Sequence, residues 1–329
     1  MSEVTYFNQV SLSKETIKQT LKDKFLENER VVIKLHFGEP GNETALTPKD
    51  VKPYVEAIQE LGHEVLMVDT PVAYDSPRNS KEGYEKAIKE RGYDEVGPYT
   101  VSDEYINSEL GGYTFEVAKE LAEAKNVLVL SHVKGHACAG FGGAIKNLGM
   151  GALSKESKML IHGGSKPVID KEKCIGCEVC TRLCPANAIT MKDGKADPNL
   201  DMCWGCSICQ INCASEALTP KSDIFDKLLA LGGVSAMNLM PKTTFYFNII
   251  KNITQFCDCE EDSGEIIAND LGTLFSQNPV AIDNASVDLI NKKEGKDVFK
   301  EMNNKDPKLQ IQYAQEVSDF EMEYNLDKD

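Results

Sequence analysis

The chain has no apolar run approaching the roughly 20 residues that a membrane-crossing helix needs, so a soluble protein with no membrane partner is expected. Cations are scarce: 36 lysines and arginines face 52 aspartates and glutamates, a net charge of -16. Nucleic acid repels so acidic a chain, as do anionic membrane surfaces, and no nucleic-acid partner is expected. There is no Walker A loop and no G-x-G-x-x-G fingerprint, hence no motif for a nicotinamide or flavin cofactor. Met1-Ser2-Glu3-Val4 leads straight into polar sequence without an apolar leader, which argues against a secreted, disulfide-stapled scaffold and for a reducing, cytoplasmic location.

Cysteine is present in excess. Eight of the eleven fall into two copies of the spacing C-x2-C-x2-C-x3-C: Cys174, Cys177, Cys180, Cys184 and then Cys203, Cys206, Cys209, Cys213. Three thiolates spaced every third residue can take three corners of one cubane, and the fourth must arrive from elsewhere; in two-cluster ferredoxins it comes from the other motif. The expected ligand sets are therefore Cys174, Cys177, Cys180 and Cys213 for one 4Fe-4S cluster, and Cys203, Cys206, Cys209 and Cys184 for the second. The offset between copies is 29 residues, and Ala188, Ile189 and Thr190 recur as Ala217, Leu218 and Thr219, the mark of a duplicated unit. Zinc ribbons use paired C-x2-C knuckles, so a third and fourth cysteine at these spacings would be superfluous.

Around the cysteines, apolar strands alternate with amphipathic helices. Helices are expected over 13–29, 50–61, 80–91, 115–124, 223–231, 281–293 and 297–319, strands over 31–35, 63–68, 126–130, 243–250 and 273–276, and a frayed end over 320–329. This alternation predicts an α/β fold with a mostly parallel sheet covered by helices. The segment 221–329 has strands but no independent core of its own. It should rejoin the sheet begun by 1–165, making 166–220 an inserted small α+β, ferredoxin-like domain.

Ligands of open α/β sheets bind beyond the carboxyl ends of the strands. Two segments of unusual composition sit there, 34–42 with Lys34 and His36, and 131–147 with His132, Lys134, His136 and Lys146. Gly140, Gly142 and Gly143 precede an expected helix start at Ala144, an arrangement that either exposes backbone N–H groups to an anion or only allows close packing. Cys257, Asp258 and Cys259 are a candidate third metal site for a transition metal, with buried inert thiols or a reactive thiol as alternatives. Asp283 suits either the same cleft or a helix N-terminus, the latter being favoured.

The cysteine module resembles a two-cluster bacterial-type ferredoxin domain. The whole chain resembles a family of uncharacterised bacterial and archaeal iron-sulfur proteins with a split α/β domain of unknown function. Residues 34–42, the run from His132 to Gly151, Cys257-Asp258-Cys259, and 279–285 carry that resemblance. It implies the architecture, the cluster ligands and a polar site in the α/β domain.

Two functions fit. One is an iron-sulfur oxidoreductase that takes electrons from a redox partner protein and delivers them to a small anionic substrate. Here Lys34, Lys134 and Lys146 hold the anion, and His36, His132 or His136 handles protons; an additional transition metal would bridge one- and two-electron steps. The other is a non-catalytic electron carrier or adaptor whose α/β domain docks a partner enzyme or binds a regulatory ligand. A homodimer is the commonest assembly for such a chain.

Overall fold

A computed structural model describes residues 1–328. Its centre is an eight-stranded sheet in the order Tyr324–Lys328, Ser2–Phe7, Gly272–Ser276, Thr244–Ile250, Asn126–His132, Val31–Lys34, Val65–Asp69, Tyr99–Val101. Gly272–Ser276 alone runs against the others. The central strands read as continuous apolar runs because both faces are covered. Along Asn126–His132, Val127 and Val129 point into one core and Leu128 and Leu130 into the other.

The helices Lys14–Leu21, Pro48–Glu60 and Lys81–Glu90 cover one face, and Ala144–Gly151, Phe225–Leu239 and Pro279–Glu294 the other. Their starts are written in the chain. Asp50 reaches back to the N–H of Thr47 (2.8 Å), with Pro48 in the first turn, and the Asn278 side chain accepts from Val280 and Ala281 ahead of Pro279. Strands on both sides of 166–220 share the one sheet. No helix among the described residues is long and apolar enough to cross a membrane.

Several expected elements differ. The helix expected over 13–29 stops at Leu21, because Asp23 and Asn28 take φ of 60° and 61°. The helix expected over 115–124 begins as strand: Tyr105–Leu110 and Tyr113–Ala118 form a hairpin, leaving only Lys119–Ala122 helical. Its turn is Gly111-Gly112, with φ of 61° and 82°, the backbone a tight hairpin needs. The helical tail expected over 297–319 is two helices, Val298–Asn303 and Leu309–Glu316, broken at Asn304 (φ 52°) and Pro307. The frayed end expected over 320–329 contains a strand, Tyr324–Lys328, paired in parallel with Ser2–Phe7; Asp329 lies outside the described residues.

Residues 166–220 form two small antiparallel ribbons, Pro167–Ile169 with Leu218–Pro220 and Ile189–Lys192 with Lys195–Pro198. The pairing is crossed: the strand before the first cysteine motif pairs with the strand after the second. The duplication extends to backbone dihedrals. Gly176, Glu178 and Asn187 have φ of 70°, 60° and 49°, and Gly205, Ser207 and Glu216 have 71°, 64° and 53°. Cys174, Ile189, Ala196, Cys209, Ala217 and Leu218 make the shared core.

The second motif is seated on the α/β body. Gln210 donates to Ser165 O (2.8 Å), the N–H of Phe225 to Ser207 Oγ (2.9 Å), and Lys305, which is paired with Asp226, to Cys206 O (2.7 Å).

Candidate functional site

A cleft of about 760 Å³ opens at the carboxyl ends of the parallel strands. His36 follows Val31–Lys34, Asp69 and Thr70 end the next strand, and Ser131 and His132 end Asn126–His132. Cys257 and Cys259 come from the loop after Thr244–Ile250, and Cys203 and Trp204 of the second cysteine motif line the same cleft. The His162 ring nitrogen lies 2.8 Å from Trp204 O, which joins the module to the cleft rim.

Two buried carboxylates organise the cationic residues. Asp69 accepts from Lys34 Nζ (3.0 Å), from the N–H of Thr70 (3.0 Å), and from Tyr84; His36 Nδ1 lies 3.1 Å away. Burial opposes its charge, but Lys34, His36 and Tyr84 hold its carboxyl far below the usual carboxylate range. Asp258 is the second hub, with Lys134 Nζ at 2.8 Å and His132 Nδ1 at 3.0 Å. Burial again opposes the charge and is overcome by His132 and Lys134, so its pKa is well below the ordinary value.

The six residues expected to act in the cleft divide by their partners. Lys34 is fully buried behind the wall, bonded to Asp69, Leu35 O and Asn147 Oδ1, and does not line the cleft. The expectation that it holds an anion is thereby corrected: its ammonium is spent on Asp69. His132 faces an acceptor at each ring nitrogen, Asp258 at 3.0 Å and Lys251 O at 2.6 Å, so its ring is committed to the scaffold. His136 Nδ1 accepts the N–H of Cys138 (3.1 Å) and Ala139 (3.0 Å), which leaves its hydrogen on Nε2. Burial, then the charge of Lys146, pull its pKa down to about 3, so it is neutral near pH 7.

His36 is backed by Asp69 at Nδ1 and partly open to the cleft, with longer contacts from Nε2 to Asp258 O (3.3 Å) and Arg78 Nη1 (3.4 Å). Lys146 donates to Cys259 Sγ (3.2 Å). Burial opposes its charge, yet Cys257 and Cys259 hold its pKa above the ordinary lysine value. A hydrogen bond with Cys259 lowers the Cys257 thiol against burial, and Lys146 and Lys134 bring it further down, to about 6.

Cys257, Asp258 and Cys259 do not form a closed ligand set. The Asp258 carboxylate is occupied by His132 and Lys134. Among the described residues no three His, Cys, Asp or Glu side chains converge as the ligands of a single metal ion would.

The glycine-rich loop binds an anion that the chain itself supplies. The N–H groups of Ala144 and Ile145, at the start of Ala144–Gly151, donate to the Asp283 carboxylate at 2.7 and 2.9 Å, and Asn248 Nδ2 adds a third bond at 2.7 Å. A Cβ on Gly143 would lie 2.3 Å from Asp283 Oδ1, which is why glycine is required there. The expected open anion pocket is therefore filled. Asp283 does sit at a helix N-terminus, but that of Ala144–Gly151 rather than its own.

In the module, Cys174, Cys177, Cys180 and Cys213 line one small cavity, the fourth brought over by the crossed ribbons. Cys184 sits with the second motif. Burial first, then Cys206, Cys203 and Cys184, push the Cys209 thiol up.

Pattern reading missed Asp69, Arg78 and Lys158. Asp69 carried a faint signal, as an acid ending an apolar strand. Arg78, fully buried and bonded to Glu39 Oε2 through Nε (2.7 Å), and Lys158, on an ordinary amphipathic helix, carried none.

Two solved structures are similar to this chain in part. The lactate racemase apoprotein from Thermoanaerobacterium thermosaccharolyticum is 13% identical with a TM-score of 0.37, over 75% of this chain and 50% of that one. A structural-genomics crystal structure of a Thermotoga maritima protein is 12% identical with a TM-score of 0.41, over 71% and 49%. The chain thus spans about half the length of each. No curated protein matches. A family model described as "Domain of unknown function (DUF362)" matches residues 31–288, and the chain belongs to this family.

Proposed function

We propose that this is an iron-sulfur oxidoreductase in which a ferredoxin-like module, residues 166–220, carries two 4Fe-4S clusters and serves a polar, anion-binding cleft in the α/β domain. The observation that carries this reading is the shared wall: Cys203 and Trp204 of the second motif line the same cleft as His36, Lys134 and Lys146. His36 in that wall is backed by the Asp69 carboxylate.

The residues present suit two clusters. Cys174, Cys177, Cys180 and Cys213 surround one cavity, and Cys203, Cys206, Cys209 and Cys184 are the set proposed for the other cluster. Backbone N–H groups already point at ligand sulfurs: Ala188 at Cys184 (3.2 Å), Gly205 at Cys203 (3.4 Å) and Ala196 at Cys174 (3.5 Å). When bound, such clusters supply single electrons at potentials tuned by these hydrogen bonds and by burial.

In the cleft, Lys146 attracts an anionic ligand, and His36, oriented by Asp69 and partly open to the cleft, delivers or removes a proton. Lys34 acts one layer back by holding Asp69 ionised. Asp258 keeps Lys134 and His132 in place.

A second reading is favoured by one observation: Ile175, Met202, Trp204 and Leu200 of the module are exposed, Ile175 by 70%. Such a surface suits a redox partner protein, as in an electron carrier or adaptor.

The test is iron and acid-labile sulfide analysis with electron paramagnetic resonance on protein purified without oxygen. About eight of each per chain and two reducible cubane signals are expected. Iron-free protein that cannot be reconstituted would refute the reading. His36→Ala should leave both clusters reducible while abolishing turnover; unchanged turnover would favour the carrier.

A further inference from the structure

Each lysine discussed so far already faces a partner: Lys34 has Asp69, Lys134 has Asp258, and Lys146 has the Cys259 thiol. Lys158 differs. It lies on the helix Lys155–Gly164, is 6% exposed, and lines the cleft. Its Nζ donates to Thr70 Oγ1 (2.7 Å) and to the carbonyl of Pro71. The Thr70 hydroxyl spends its own hydrogen on Gly151 O (3.0 Å), so toward Lys158 it only accepts.

Among the described residues no carboxylate lies within ion-pair distance of Lys158. Two acceptors satisfy the two N–H groups of a neutral amine and leave its lone pair unused. An ammonium would carry a third N–H without an acceptor and a buried charge without a counter-ion.

The groups facing it are Asp69, whose charge is offset by Lys34 and His36, and the cations Lys34, Arg78 and Lys146. Burial, and after it these cations, bring Lys158 down to about 7 despite Asp69. This is the setting that turns a lysine from a point charge into a nucleophile.

We propose that Lys158 is an imine-forming amine, and that the cleft takes a small carbonyl compound bearing a carboxylate or phosphate. Lys146 supplies the anionic contact: Cys259 is its one side-chain partner among the described residues, so further N–H donors stay available. The Lys158 nitrogen adds to the carbonyl carbon, forming a C–N bond. The carbon–oxygen bond then breaks, and the oxygen leaves as water with the two amine hydrogens, so the step needs no oxidant or reductant.

The experiment traps the imine by reduction and does not depend on the redox reading. Oxygen-free protein is incubated near neutral pH with glyoxylate and sodium cyanoborohydride, digested, and mapped by mass spectrometry. Lys158 should be modified several-fold faster than the exposed Lys86 and than Lys34, Lys134 and Lys146. The rate should fall as pH drops below neutrality, and excess inorganic phosphate should slow it. Labelling of Lys86 with Lys158 bare, or equal rates at the two, would overturn the proposal. Labelling of Lys158 that phosphate leaves unchanged would overturn its anionic part.

Discussion

Replacing Asp258 by asparagine removes one charge with almost no change of shape, so no cavity is created. What it leaves is Lys134, whose side chain is 7% exposed, facing an amide in place of the carboxylate now 2.8 Å away, and His132 without its anion. Removing one partner of a buried ion pair costs about 3–5 kcal/mol, chiefly because the remaining charge stays desolvated. The same argument says that Lys134→Met placed on top of Asp258→Asn should restore most of the loss, since a neutral pair replaces an ionic one. The assay is urea denaturation of oxygen-free protein, followed by far-ultraviolet circular dichroism, across the four members of the cycle. A coupling of about 2 kcal/mol or more is expected. Charge partners hold the Asp258 pKa well below its ordinary value. Its contribution should therefore be complete above about pH 4, the unfolded value, and be lost as pH falls through the lower folded value. A single variant within about 1 kcal/mol of wild type, or a double variant no better than the sum of the singles, would refute the charge-clamp role.

Two further outcomes follow from the geometry. Cys213→Ser should perturb the electron paramagnetic resonance signal of the cluster proposed for Cys174, Cys177 and Cys180, and loss of only the other signal would refute the crossed ligand sets. Burial pushes Asp283 up to about 6 against three donors, so its folded form binds a proton more tightly than the unfolded chain. Stability from this group is full below about pH 4 and falls as pH rises through 6, by roughly 3 kcal/mol in all. Asp283→Asn should flatten that slope in denaturation measured between pH 4 and 7, and an unaltered slope would count against it.

The sheet was legible where the chemistry is local. Short apolar, β-branched runs such as those within Val31–Lys34 and Asn126–His132 read as strands buried on both faces, and Pro279 and Asn278 announce a helix start. The edge was not. Ser2–Phe7 and Tyr324–Lys328 are half-polar strands whose pairing partners are some 320 residues apart in sequence, so no window contains the reason they are strands. The hairpin Tyr105–Ala118 was hidden because Phe115, Ala118 and Ala122 also satisfy a helical spacing, and the Gly111-Gly112 turn decides between the two.

For the site, composition drew attention to the right strand ends but not to the roles. Lysine and histidine near a carboxyl edge suggest an open anion site. Whether each charge is free depends on Asp69, Asp258 and Asp283, which reach Lys34, Lys134 and the Ala144 helix start from another strand, a loop and another helix. The sequence alone determined the duplicated cysteine spacing, the alternation of strands and helices, and the acidic balance, because each is a property of neighbours along the chain. Only the tertiary structure decided which cations are already neutralised, that Cys203 and Trp204 share a cleft with His36, and that Lys158 lacks a counter-ion. Electrostatic pairing and burial act through space, and the sheet brings together groups that the chain keeps far apart.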